Sequence, residues 1–267
     1  MASLYGGLMV VNAGLFVYSV AFFKSRPPTP PSDAQEKVVL AQDVVTSDVQ
    51  TLLKSFWSTV KLLCSLPSFV VVCFIFGASP AVIKTSTILL SSMLQKRFTS
   101  HTKLNKHAGL ALATAYAAYS LGSLIAGHIV TKFPYYKQLV TCCVVALFGT
   151  CLLTTIGIAC ENIYAIYAAM LLQGFSLGIA GTATYELLVE ITYPEPTTFA
   201  SLVGMTLFGI FRLIYPIAGR ELLERVGPIA STSIPLITTF LLFISILSVT
   251  TDYRRQLANV ESQRLLE

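Results

Sequence analysis

Long uninterrupted runs of apolar residues, separated by short polar stretches, dominate the pattern along this chain. They extend approximately over Leu4–Phe23, Phe69–Leu94, Ala108–Val130, Leu139–Ala159, Ile163–Val189, Phe199–Ala218 and Ile229–Val249. Each is about 20 residues or longer, the length that carries a helix across roughly 30 Å of hydrocarbon at 1.5 Å per residue. A membrane barrel would instead alternate apolar and polar positions over ~10-residue segments. In lipid only a helix satisfies the backbone of a continuously apolar segment from within. The pattern predicts an all-α membrane protein with about seven transmembrane helices.

Polar punctuation divides the chain further. After the first block comes Lys24-Ser-Arg-Pro-Pro-Thr-Pro-Pro-Ser32, whose prolines fix φ and remove donors, predicting a stiff extended linker outside the membrane. Beyond it Val49, Leu52, Leu53, Phe56, Trp57 and Val60 recur on one helical face, opposite Lys54, Ser55, Ser58 and Lys61, with Asp48 placed to cap. Such a helix lies along the membrane surface or packs on neighbouring loops. The resulting division is a transmembrane helix (1–23), a linker with an interfacial helix (24–66), a six-helix bundle (67–250) and a tail (251–267). The first block lacks a basic flank before it and a small-x-small site after it, so a retained span is expected rather than a cleaved signal.

Composition narrows the function. The chain of 267 residues is 54% hydrophobic and 12% charged, against roughly 25% charged in soluble domains, and its mean hydropathy is +0.71. Its lipid bilayer surroundings follow. The net charge of +5 is scattered between apolar blocks without a basic face interleaved with aromatics, so no nucleic-acid partner is expected. Cys64, Cys73, Cys142, Cys143, Cys151 and Cys160 show no metal-ligand spacing and read as packing residues. No HExxH, GxSxG or Walker glycine loop is present, so neither an enzyme site nor a cofactor is expected.

Lys and Arg in short loops set orientation. With the linker and tail cytoplasmic, that side holds Lys24, Arg26, Lys37, Lys54, Lys61, Lys132, Lys137, Arg254, Arg255 and Arg264. The far side holds Lys96, Arg97, Lys103, Lys106, Arg220 and Arg225. The cluster from Lys96 to Lys106 opposes the bias.

Ionisable groups inside spans are costly and normally face a cavity or a partner. Lys84 lies mid-span in a segment that Gly77 and Pro80 are expected to break, freeing backbone groups for a substrate. The competing expectation is a kinked helix whose lysine snorkels to the interface. Glu186 follows the small-residue run Gly174-Phe-Ser-Leu-Gly178-Ile-Ala-Gly181, which predicts close helix packing. It is expected either to pair with Arg212 of the next span or to serve cation binding or proton coupling. His128, near a span end, reads as a polar rim residue.

Three segments carry a family resemblance: Phe22-Phe-Lys-Ser-Arg-Pro-Pro-Thr-Pro-Pro-Ser-Asp-Ala-Gln35, Tyr185-Glu-Leu-Leu-Val-Glu-Ile-Thr-Tyr-Pro-Glu195 and Thr251-Asp-Tyr-Arg-Arg-Gln-Leu-Ala-Asn259. Together they resemble the feline leukaemia virus subgroup C receptor family of major-facilitator transporters. The resemblance implies that the chain holds that fold's sixth helix, central linker and C-terminal six-helix bundle, without the first five helices. It implies transport of a small organic solute, choline- or ethanolamine-like or haem, by rocking about a midplane site. One chain would then supply one wall, or would associate with a full-length relative or a second copy and regulate it. The family's seventh-helix aromatic position corresponds to Pro80 or Ile83, and its eleventh-helix glutamine to Thr206. Lys84, Glu186, Thr206 and Arg212 are the implied substrate wall, with Lys84 favouring an anionic or carboxylate-bearing solute. The stretch Gly127-His-Ile-Val-Thr131-Lys132 resembles the superfamily's gating loop with Thr131 in place of its aspartate. Plasma membrane is the implied location, with mitochondrial and endosomal membranes as alternatives.

Overall fold

A backbone crossing lipid finds no hydrogen-bond partners but its own, and the apolar blocks accordingly become helices. The computed structural model describes residues 12–19, 49–98, 104–133, 135–193 and 197–249, and among them no strand occurs. Two units are distinguished, Met1–Ser47 and Asp48–Glu267. In the first, residues 12–19 form a helix, α1. The rest of the expected first span and the proline linker lie outside the described residues, as does the tail from 250.

The second unit consists of α2 (Val49–Cys64), α3 (Pro67–Arg97), α4 (Leu104–Lys132), α5 (Tyr136–Ala159), α6 (Ile163–Thr192), α7 (Thr197–Arg225), α8 (Pro228–Ser231) and α9 (Ser233–Leu247). Among the described residues six helices are long and apolar enough to cross a membrane: α3 to α7, and α8 with α9 as one span, Pro228–Leu247. The protein is an integral multi-pass membrane protein. Helices overrun their apolar blocks where polar ends sustain them. α7 continues past Ala218 to Arg225, where Arg220 pairs with Glu224 and Arg225 with Glu221 at i,i+4. The stretch from Gly127 to Lys132, expected as a loop, is instead the end of α4, and the Thr131 hydroxyl donates to the His128 carbonyl at 2.9 Å. His128 is exposed there.

α3 is the central stave, with 61% of its apolar window buried against 11% for α7 and 28% for α4. Its first half packs Phe69, Val72 and Ile75 with Val140, Val144, Leu187, Leu188 and Leu242. Its second half packs Leu89, Leu90, Met93 and Leu94 with Ala108, Ala111, Ile166 and Met170. α4 and α6 run parallel, since Ala115 meets Gly174, Tyr119 meets Gly178 and Ser123 meets Thr182 at one constant spacing.

Basic side chains tie the helix ends. Lys96 donates to the Leu223 carbonyl in the last turn of α7 at 3.0 Å, and Arg97 to the Ala159 carbonyl ending α5 at 3.1 Å. At the opposite rim Lys137 donates to the Val249 carbonyl at 2.6 Å. Cations at helix C-termini offset the dipole and its orphan carbonyls. Lys96 and Arg97, which ran against the charge bias in the sequence, are thus engaged in capping.

The α5–α6 corner turns on Glu161, whose φ of 53° lies in the left-handed region. The Asn162 N–H returns to the Gly157 carbonyl, while the Asn162 side-chain oxygen accepts from the N–H groups of Tyr164 and Ala165. A left-handed residue with a β-carbon costs roughly 1–2 kcal/mol. The ion pair of Glu161 with Arg97 is 3.6 Å long and about two-fifths exposed on both sides, so it returns only about 0.2–1 kcal/mol. Glu161→Gly is therefore expected to raise stability by about 0.5 kcal/mol, read as a higher Tm in detergent.

Candidate functional site

Two helix pairs approach closely, and a cleft remains between them. In the α4–α6 pair a β-carbon at Gly174 would fall on the Ala115 carbonyl, one at Gly178 on the Tyr119 carbonyl, and one at Gly122 on the Phe175 carbonyl. The small-residue run thus does what its composition predicted. In the α3–α7 pair a β-carbon on Gly77 would stand 2.9 Å from both the Leu207 β-carbon and the Phe208 nitrogen, while Gly204 seats the Phe76 ring. Phe74 and Phe211 meet edge-on at 5.5 Å beside it.

Between these pairs lies a cavity of about 330 Å³. α3 lines it with Phe76, Ser79, Pro80, Ile83 and Lys84, α4 with Tyr116 and Tyr119, α6 with Leu177, Gly181 and Thr184, and α7 with Met205 and Phe208. These residues fall near the middle of their helices, so the cleft sits at half-depth. Gly181 leaves it open, because a β-carbon there would meet only the Tyr119 hydroxyl, at 4.0 Å.

Among the described residues Lys84 is the one charged side chain in this lining. Its ammonium donates to the Tyr116 hydroxyl at 2.8 Å and stands 4.9 Å from the centre of the same ring. One phenol thereby gives the ammonium both a hydrogen bond and a π-face. The Tyr116 hydroxyl keeps its own proton to donate onward. Across the cleft Thr184 is buried and its hydroxyl has no hydrogen-bond partner among the described residues. Such a group is costly when left unsatisfied; Thr184 belongs to the lining, but its hydroxyl oxygen is covered.

The sequence-derived residues separate on this geometry. Lys84 lies in the cleft, but not through a broken helix. α3 runs as one helix through Pro80, and Gly77 serves contact with α7. The missing N–H of Pro80 still deprives the Phe76 carbonyl of its i+4 donor. Thr206 is exposed outside the cleft, its hydroxyl donating back to the Leu202 carbonyl at 2.8 Å, while its neighbours Met205 and Phe208 take the lining positions. Glu186 is half-buried on α6 and not part of the lining. Arg212 on α7 is exposed and likewise not part of the lining. Sequence reasoning missed Tyr116, Tyr119, Phe208 and Thr184. The two tyrosines carried a signal, being spaced i,i+3 on one face of an alanine-rich helix.

Comparison with known proteins gives a consistent picture. The sequence profile of the Major Facilitator Superfamily matches residues 81–265. An uncharacterized MFS-type transporter of Caenorhabditis elegans is 28% identical over 211 residues, 78% of this chain and 34% of that protein. The choline/ethanolamine transporter flvcr2a of Danio rerio is 25% identical over 251 residues, 93% of this chain and 50% of the relative. The choline/ethanolamine transporter FLVCR1 of Mus musculus is 24% identical over 216 residues, 81% of this chain and 37% of the relative. The chain thus spans about a third to a half of the length of the curated relatives it matches.

Proposed function

Because this chain belongs to the Major Facilitator Superfamily, we propose that its six spans form one wall of a solute pathway and that the α3–α4–α6–α7 cleft holds a small organic solute in transit. One observation carries the reading: a cavity of about 330 Å³ at half-depth, walled by four spans and, among the described residues, containing a single charge. That volume falls at the small end of ligand sites, ~300–1,000 Å³. Facilitators bind near the midplane between two bundles that rock against each other. The relatives named for choline and ethanolamine suggest solutes of that size, and haem stays in the panel because of its carboxylates. Lys84, inside the cleft, has the strongest claim among the residues the sequence singled out. Arg212, on the helix that supplies Met205 and Phe208, is proposed to face the pathway's opposite wall.

A second reading, association with a longer relative or a second copy, draws support from α7, the least covered span, whose Leu213, Ile214 and Ile217 are exposed. Uptake separates the two. Labelled choline, ethanolamine, haem and benzoate are offered to vesicles holding this chain alone or joined to the N-terminal half of a longer relative. Uptake is expected only in the joined form and should fall at least tenfold on Gly181→Leu, which fills the cleft without meeting backbone. Absence of uptake by a fully inserted joined form, or uptake indifferent to Gly181→Leu, would remove the cleft from the pathway and favour association.

A further inference from the structure

The proposed cleft is rich in aromatic faces, a surrounding that ordinarily invites cations, yet it already contains a cation of its own. We infer that Lys84 is a built-in selectivity element that makes the cleft accept organic anions and reject organic cations. The inference rests on the reading of the cleft as a solute site and specifies its substrate class.

The argument is electrostatic and geometric. The Lys84 ammonium occupies the face and hydroxyl of Tyr116, so a quaternary or primary ammonium entering the cleft would have to displace it or lie beside it. Among the described residues no acidic side chain lines the cavity to offset that charge. At half-depth in a low-dielectric surrounding a like-charge encounter is weakly screened. A carboxylate meets the reverse situation. It can accept from the ammonium, which keeps two further protons after serving Tyr116, and from the Tyr116 hydroxyl proton, both charge-assisted bonds. The body of the solute then lies against Phe76, Phe208 and Leu177. The predicted solute is a small amphipathic organic anion.

Binding to the purified full chain in nanodiscs tests this with two probes of similar size, benzoate and tetramethylammonium. Wild type is expected to bind benzoate at least tenfold more tightly. Lys84→Met should reverse the order, weakening benzoate about tenfold and strengthening tetramethylammonium by a similar factor, whereas Lys84→Arg should keep the wild-type order. Equal affinity for both probes in wild type, or an order unchanged by Lys84→Met, would overturn the inference. Because binding is read without transport, an anion preference with no uptake would fail the carrier reading alone. Uptake without an anion preference would fail the selectivity inference alone.

Discussion

Gly178→Leu is expected to prevent the six-span unit from reaching its folded form, or to lower its Tm beyond any other single change considered. A β-carbon at Gly178 would overlap the Tyr119 carbonyl and stand 2.8 Å from the Ser123 nitrogen. Both obstacles are backbone, so no side chain can swing aside and α4 and α6 must separate. Separation also loosens the seat of Gly174 on Ala115 and the 3.4 Å contact of Ser123 with Thr182. In lipid these helices are not driven together by water, and their association rests on close packing. Overpacking of this kind costs about 1–3 kcal/mol at sites that can relax, and the cost should exceed that range here. Gly209→Leu is the control, because nothing lies within 4 Å of its position. Thermal unfolding in detergent gives the comparison, and equal Tm values for the two variants would mean that α4 and α6 do not touch at Gly178.

Tyr116→Leu should cost about 2 kcal/mol, more than a single neutral hydrogen bond accounts for, because it leaves an ammonium at half-depth without its partner. An unaided lysine at the centre of a span costs about 2.5–3.5 kcal/mol on insertion scales. The phenol returns part of this through an interhelical hydrogen bond of about 0.6–1.7 kcal/mol and a ring contact of about 0.5–2 kcal/mol. Lys84→Met should be neutral or stabilising. In Lys84→Met background the further change of Tyr116 to leucine should cost no more than about 0.5 kcal/mol. The double-mutant cycle, read by reversible unfolding in mixed micelles, then yields a coupling of about 1–2 kcal/mol. Strict additivity would show that the two side chains do not meet.

Hydrophobic run length made six of the spans legible, because in a bilayer that one quantity decides whether a segment crosses. The ends were less legible. Arg220, Glu221, Glu224 and Arg225 look like a loop by hydropathy, but their i,i+4 pairing prolongs α7. The site was legible only as far as single residues announce themselves. Lys84 stood out because a charge in a span is rare, and it does lie in the cleft. Glu186 and Arg212 stood out for the same reason, yet whether they reached the cleft depended on the rotation of each helix about its axis, which sequence spacing does not supply. The rotation of α7 is fixed by Gly77 and Gly204, which press Leu207 and Phe76 into the α3–α7 seam. It turns Met205 and Phe208 inward and Thr206 out. Uncharged residues such as Tyr116 and Thr184 gained meaning only from what stands opposite them.

The three basic side chains at the helix ends have a mechanical corollary. Lys96 couples α3 to α7, Arg97 couples α3 to α5, and Lys137 couples α5 to the segment after α9. Each tie joins helices that are not consecutive in the chain, and the ties sit at opposite rims, so the staves are hooped above and below. A barrel hooped at both ends tilts as a solid object and resists splaying. α4 and α6, which none of these three ties reaches, are locked to each other through Gly174 and Gly178, so this pair is expected to shift as one piece against the hooped staves.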